Sequence, residues 1–216
     1  EEYRVLEKIK NSIPVCYLAD HADFALGIVT GNNKKFLSAE KTENSEMVLK
    51  GTDICKYHIN PAKQYLRFEP EQFQQVAPLE IYRAPEKLLY RFISNQLVVA
   101  YDDRQMLSLN SCNIVIPKID GMQIKYILAI LNSSVSQFVY QKEFHSIKVL
   151  RAHMEHIPIP RVGKAIQNEI IAMTEPLICG MGKEAAETCQ KRLDCRIMDL
   201  FRLSAEEQWI IRHALH

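Results

Sequence analysis

Apolar positions recur along this chain in two rhythms, and the change between them divides it. Near the start, Val5, Leu6 and Ile9 share one face among charged residues, which predicts a helix over 2–10, ended by Asn11 and Pro14. Val15 to Leu18 suits a short strand. A brief apolar run (Leu26, Ile28, Val29) then breaks on Thr30-Gly31-Asn32-Asn33 and resumes at Phe36. Gly31 and the two asparagines tolerate positive φ, so a tight turn between two strands, a hairpin tip, is expected. Ser38 to Ser45 is polar and predicts a surface loop. Short apolar segments follow at Met47–Leu49, Ile54–Ile59 and Tyr65–Phe68, and the Gln- and Pro-rich stretch from Glu69 to Pro78 predicts loop. The densest β signal runs from Lys87 to Asn113 and beyond. Leu88–Ile93, Leu97–Tyr101, Met106–Leu109 and Asn113–Ile116 are separated by turn residues, which predicts a meander.

After Gly121 the period lengthens. Ile124, Ile127, Leu128, Leu131, Val135, Phe138 and Val139 repeat every three or four residues, predicting one amphipathic helix over 123–140. Asn132-Ser133-Ser134 inside it are poor helix formers, suited to a kink or to contact with a neighbouring backbone or a partner. Ile157-Pro158-Ile159-Pro160 is extended, because proline restricts itself and its predecessor, and suits a linker. Helices are expected over 164–178 and 184–201, parted by Gly180–Gly182. Ser204 with Glu207 three residues on has the capping-box form and opens a last helix. The expected fold class is α+β: a mainly antiparallel β body with one long packed helix over 1–160, then a helical C-terminal module over 161–216.

Composition narrows this picture. No apolar run approaches the roughly 18 residues that span a bilayer, so no membrane partner is expected. The first residue is Glu and no signal peptide precedes it, which suggests an excised domain or a processed chain. The six cysteines form no C-x-x-C and suit buried or incidental thiols in a reducing cytoplasm. The formal net charge of +1 speaks slightly against a nucleic-acid partner. Between Gly121 and Pro160, four basic residues (Lys125, Lys142, Lys148, Arg151) face two acidic ones (Glu143, Glu155), with His145, His153 and His156 beside them, so any basic face must come from folding.

Signatures of catalysis are missing. Gly27-x-x-x-Gly31 with Lys34 lacks the spacing of a phosphate loop, and neither G-x-G-x-x-G nor G-x-S-x-G occurs. His153 and His156 are two potential ligands without the others a metal needs, and Asp102-Asp103 suits a turn. No Glu-x-Lys of the nuclease kind is found, nor the Asn/Asp/Ser-Pro-Pro-Tyr/Phe tetrapeptide of adenine methylation. No catalytic residue, metal or cofactor is therefore expected within this stretch. The polar turn offers another chemistry. Its backbone N–H groups, two amides and the ammoniums of Lys34 and Lys35 suit an anion, although spacing alone favours an ordinary hairpin tip with solvated lysines.

Four segments, in order, resemble the TaqI-like C-terminal specificity domain that follows the catalytic domain of adenine-specific DNA methyltransferases and fused restriction–modification enzymes. Leu26-Gly27-Ile28-Val29-Thr30-Gly31-Asn32-Asn33-Lys34 is similar to its G-x-x-T-G-x-N opening. Lys50-Gly51-Thr52-Asp53-Ile54-Cys55-Lys56-Tyr57 resembles the basic-G-x-D-I segment. Leu89-Tyr90-Arg91-Phe92-Ile93-Ser94 with Val99-Ala100-Tyr101-Asp102 resembles the Y-R-x-I-S and A-x-D hairpin. Tyr126 to Ser133, with Ile157 to Pro160, resembles the Leu-Asn-Ser helix and its L-P-I-P partner, and Leu193 to Glu207 is similar to the tail. The aromatic-rich insert usual before the Y-R strand is here reduced to Pro61–Glu86, which implies a smaller reading surface. The resemblance implies a non-catalytic domain that binds double-stranded DNA and delivers an adenine to a methyltransferase domain of the same or a partner chain. The parent would use S-adenosylmethionine, and the resemblance covers both parents that only methylate and fused ones that also cut. Candidate DNA contacts are Thr30, Asn32, Asn33, Lys34, Lys35, Lys56 and Arg91, since Lys and Arg suit phosphate or guanine and Asn suits adenine. Asp53 and Arg91 could instead pair with each other, and Asn132 and Ser133 suit scaffold roles. A docking module for the methyltransferase that reads no bases is the alternative, favoured by the near-neutral charge and the shortened middle.

Overall fold

The protein is described by a computed structural model covering residues 1–144 and 146–215; His145 lies outside the described residues. Helix α1 (Glu2–Asn11) leads through β1 (Val15–Cys16) and β2 (Ala22–Ala25) to a single-turn helix α2 (Asn33–Phe36). Strands β3 (Leu37–Ser38), β4 (Ser45–Leu49) and β5 (Gln64–Arg67) follow, then the short α3 (Leu79–Tyr82). Next come β6 (Lys87–Arg91), β7 (Val99–Asp102), β8 (Leu107–Ser108) and β9 (Cys112–Pro117). Helices α4 (Ile124–Leu131), α5 (Ser134–Glu143) and α6 (Arg151–Glu155) precede β10 (Ile159–Pro160). The chain closes with α7 (Lys164–Cys179), α8 (Lys183–Leu200) and α9 (Ala205–Ala214). The fold is α+β.

A four-stranded antiparallel sheet, ordered β2-β9-β6-β7, forms the middle layer. Successive side chains of a strand point to opposite faces. Leu88, Tyr90, Val99, Tyr101 and Val115 accordingly join one core with the helices, while Leu89, Ala100, Cys112 and Ile114 join another with the second sheet. Burial on both faces explains why Leu88-Leu89-Tyr90 reads as a continuous apolar run rather than an alternation. The second sheet is ordered β3-β5-β4-β8, with β4 and β8 parallel. The helix-side core runs without a break from Val5 and Leu6 through Tyr126 and Phe138 to Ile170, Leu193, Ile197 and Ile211. The C-terminal helices thus share one apolar cluster with the body across the 160/161 boundary.

Four local expectations are corrected. The segments flanking Thr30–Asn33 do not form a hairpin: β2 pairs with β9 and β3 with β5, so the turn carries the chain from one sheet to the other. The meander is broken because β8 leaves the central sheet to pair with β4, and β9 returns to the far side of β6. The long helix is two, parted at Asn132-Ser133. The Asn132 amide binds the strand backbone instead, accepting from the Val99 N–H (3.1 Å) and donating to the Val99 carbonyl (2.8 Å). Ser133 caps α5 through the Ser136 N–H (3.2 Å). Finally, Ile157–Pro160 is no linker. It is buried, β10 pairs with β1, and the Tyr126 hydroxyl donates to the Pro160 carbonyl (2.9 Å).

Candidate nucleic-acid interface

Three of the segments that carry the resemblance meet at the turn between β8 and β9. Gly27 lies so close to it that a Cβ there would sit 2.0 Å from the Leu109 carbonyl oxygen and 2.7 Å from that of Cys112. Its N–H donates to Asn113 Oδ1 (3.1 Å). Gly51 grips the same turn from the other side: a Cβ would meet the Ser111 carbonyl at 2.6 Å, and its N–H donates to Ser111 Oγ (3.0 Å). Two glycines twenty-four residues apart are thus required by one close backbone approach. Asp53 is buried and its carboxylate accepts from the Lys50 N–H (2.9 Å). Arg91 Nε donates to the Ile54 carbonyl (2.8 Å). Asp53 and Arg91 therefore serve the backbone of one loop from two sides, and among the described residues they form no ion pair with each other.

Lys56, the next residue of interest along that loop, points toward the helices. Its Nζ donates to the Asn132 carbonyl (3.2 Å), and burial pulls its pKa down although Asp194 of α8 opposes the fall. Asp194 accepts from the Ser134 N–H (2.8 Å) and is itself pushed up by burial. Lys56 and Arg91 are accordingly placed as ties within the scaffold, apart from the other candidates.

Thr30, Asn32, Asn33, Lys34 and Lys35 do come together. Gly31 takes φ +78°, as a tight turn requires. Thr30 is buried and its hydroxyl donates to Asn33 Oδ1 (2.5 Å) while accepting from the Asn32 N–H (3.2 Å). Asn32 Oδ1 accepts from the Lys35 N–H (3.2 Å), capping α2. Lys35 Nζ lies 4.7 Å from the Phe36 ring centroid and near Gln72 Oε1 (3.5 Å). Residues 31–35 are exposed. Beside them runs the loop after β5. Val29 bridges Gln75 through N–H···O bonds of 2.9 and 3.0 Å, and the Gln74 side chain lies against Gly31. Gln72, Gln74 and Gln75 are exposed. One surface therefore gathers five amides and two ammoniums, with Phe36 and Phe73 packed edge to face beneath it (5.3 Å). The sequence expectation took this Gln-rich stretch only as loop. Its density of exposed amides was the available signal, and its adjacency to residue 31 was not.

The His153–His156 pair and Asp102 are engaged elsewhere. His153 is buried, stacks on Phe144 (4.4 Å) and accepts from the Leu150 N–H (3.2 Å), and burial lowers its pKa. His156 Nδ1 meets the Ala152 carbonyl (2.6 Å). Asp102 is buried against Lys87. Among the described residues no His, Cys, Asp and Glu gather in a group suited to a metal ion, and no helix is long and apolar enough to cross a membrane.

Residues 46–159 match the TaqI-like C-terminal specificity domain family. No curated protein matches the chain significantly by sequence. Among solved structures, MmeI, a type IIL restriction–modification enzyme in complex with DNA, aligns with a TM-score of 0.59 at 10% identity, over 91% of this chain and 35% of MmeI's. A chain from work on complex assembly and conformational transition of a type I restriction–modification system aligns with a TM-score of 0.51 at 14% identity, over 99% of this chain and 51% of that one. These likenesses are of fold. This chain spans about half the length of one and about a third of the other.

Proposed function

Because this chain belongs to the family of TaqI-like C-terminal specificity domains, we propose that it recognises a DNA target on behalf of a restriction–modification enzyme. The carrying observation is the division of labour at the interface. The residues that define the resemblance (Gly27, Gly51, Asp53, Arg91, Asn132) are spent on backbone contacts. They leave Asn32, Asn33, Gln72, Gln74 and Gln75 exposed beside Lys34 and Lys35. Asn and Gln amides pair bidentately with adenine edges in the major groove, and lysines meet phosphate or guanine. A good bidentate pair discriminates against the wrong base by about 1–3 kcal/mol. The likeness in fold to MmeI, an enzyme solved in complex with DNA, supports the same reading. In its finer form the domain positions an adenine for N6-methylation by a methyltransferase domain outside this chain, of the same or a partner protein. That domain would hold S-adenosylmethionine. The cytoplasm is the compartment this reading implies.

Binding of the full-length protein to duplex DNA across a salt series tests the proposal. Each neutralised phosphate contributes about −0.9 to the slope of log K against log salt. Lys34→Ala with Lys35→Ala flattens the slope by up to about 1.8 if both ammoniums touch phosphate. Gln74→Ala weakens binding to the preferred sequence more than to random duplex. The formal charge of +1 favours a second reading, a docking module that reads no bases. A salt slope of zero selects that second reading and overturns the first.

A further inference from the structure

We propose that the DNA-contact surface continues past the amide loop, across the groove beside β2, to a rim made by Ile93 and residues Ile147–Arg151, with Lys148 and Arg151 on phosphates and Ile147 as an apolar contact. The inference rests on the DNA-binding reading above and extends it to residues on a different part of the chain.

The connection is a groove of about 710 Å³ whose lining includes Phe24, Leu26, Gln75, Val76, Pro78 and Arg151. Gln75 belongs to the amide surface through its bridge to Val29. Arg151 belongs to the rim. β2 is the outermost strand of the central sheet, so the groove follows an open edge rather than a packed one. The rim is held by backbone bonds: the Ser94 N–H donates to the Ile147 carbonyl (2.9 Å) and the Val149 N–H to that of Phe92 (2.8 Å). Its two cations rest on aromatic rings. The Arg151 guanidinium lies 5.1 Å from the Phe24 centroid, and Lys148 Nζ lies 5.9 Å from that of Phe92. Lys35 over Phe36 on the amide side makes a third such pair. Stacked cations are preorganised, so less side-chain freedom is lost when they meet an anion.

Charge and exposure identify the occupant. Ile147 is 68% exposed, Ile93 55%, Leu26 43% and Leu150 42%. A lone exposed aliphatic residue is ordinary, but Leu26 lines the groove, and Ile93, bridged to Lys148, flanks the two cations with Ile147 and Leu150. Of the acids nearby, Asp23 pairs with Lys118 (2.5 Å) and Glu155 takes Arg151 Nε (2.7 Å), so the rim's charge not met by an acid among the described residues is that of Lys148. The two Nη atoms of Arg151 donate to nothing among the described residues. An apolar rim with two cations stacked on rings suits duplex DNA, whose grooves accept aliphatic side chains between flanking phosphate contacts.

The test uses the full-length protein, a duplex carrying its preferred sequence and a salt series. Lys148→Gln with Arg151→Gln is expected to reduce the magnitude of the salt slope by about 1.8, with the thermal midpoint unchanged. Should that double variant fold poorly, Lys148→Gln alone reads about 0.9. Ile147→Ser is expected to weaken binding at every salt concentration and leave the slope as it was. A wild-type protein that binds with a steep slope, matched by the double variant, overturns the rim while the amide surface stands. A wild-type slope of zero overturns the DNA reading and the rim with it.

Discussion

Lys87 and Asp102 carry the sharpest prediction about stability. Both side chains are completely buried, and they form an ion pair at the open end of the β6–β7 hairpin. Lys87 Nζ also donates to the Tyr82 carbonyl (2.6 Å), which fixes α3. Asp102 accepts two further bonds, from the N–H groups of Arg104 (2.9 Å) and Met106 (3.0 Å), and so sets the path by which β8 leaves the sheet. Lys87→Met has nearly the shape of the original side chain but leaves a buried carboxylate without its cation. Breaking a buried pair in this way costs about 3–5 kcal/mol. The low end, about 3, applies here because two N–H donors still face Asp102. Asp102→Leu should cost at least as much, since it strands an ammonium and two N–H groups together, each of the latter at about 1–3 kcal/mol. For a chain of this size 3 kcal/mol lowers the thermal midpoint by about 6–12 °C. Urea unfolding of both single variants and of Lys87→Met/Asp102→Leu measures the coupling. The double variant should lose less than the two singles summed, by more than about 1 kcal/mol. A cost below 1 kcal/mol for Lys87→Met, or strict additivity, would refute the reasoning.

Two further outcomes concern the scaffold. Gly27→Ala forces a methyl group against the Leu109 and Cys112 carbonyls, and Gly51→Ala against that of Ser111. Each should destabilise by at least the roughly 1–3 kcal/mol of an overpacked site, Gly27 the more, whereas Gly163→Ala, with open space around it, should not; equal thermal midpoints for all three would contradict this. Burial raises the Asp194 pKa, so its contribution to stability is fullest below the ordinary aspartate value and is lost as pH rises through the folded one. The stability advantage of wild type over Asp194→Asn should therefore shrink as pH rises above the ordinary aspartate range in urea titrations, and an advantage that grows with pH would reverse the sign.

Periodicity was a reliable guide where the fold is local. α1, α7, α8 and the capped α9 follow from spacing and from Ser204 with Glu207, whose carboxylate accepts from the Ser204 N–H (2.7 Å). It failed where long-range pairing decided the outcome. Nothing between Lys87 and Asn113 marks Leu107-Ser108 as a strand of another sheet, because a two-residue strand carries no period. Asn132 looked like a weak point in a helix, and its partner, Val99, lies thirty-three residues away. The turn at Thr30–Asn33 was legible in its conformation, through Gly31, but its setting was not. A hairpin tip and a crossover between sheets need the same residues, and only the partners of β2 and β3 separate them.

The same distinction bears on specificity. Gly27, Gly51, Asp53, Arg91 and Asn132 make the chain resemble its family, and each is committed to backbone atoms within the fold. Substituting them threatens the scaffold before it touches a ligand, so their presence identifies a fold and says nothing about a target sequence. The exposed amides carry the opposite balance. Surface substitutions that break no cap or buried bond usually change stability by less than about 0.5 kcal/mol, whereas a lost bidentate base contact costs about 1–3 kcal/mol of discrimination. Gln74 and Gln75 meet that condition with their side chains; Asn32 does not, because its carbonyl caps α2. On the proposed reading, a change of target would therefore be reached most cheaply through the loop after β5, with the turn at 30–35 held constant as the frame against which that loop is set.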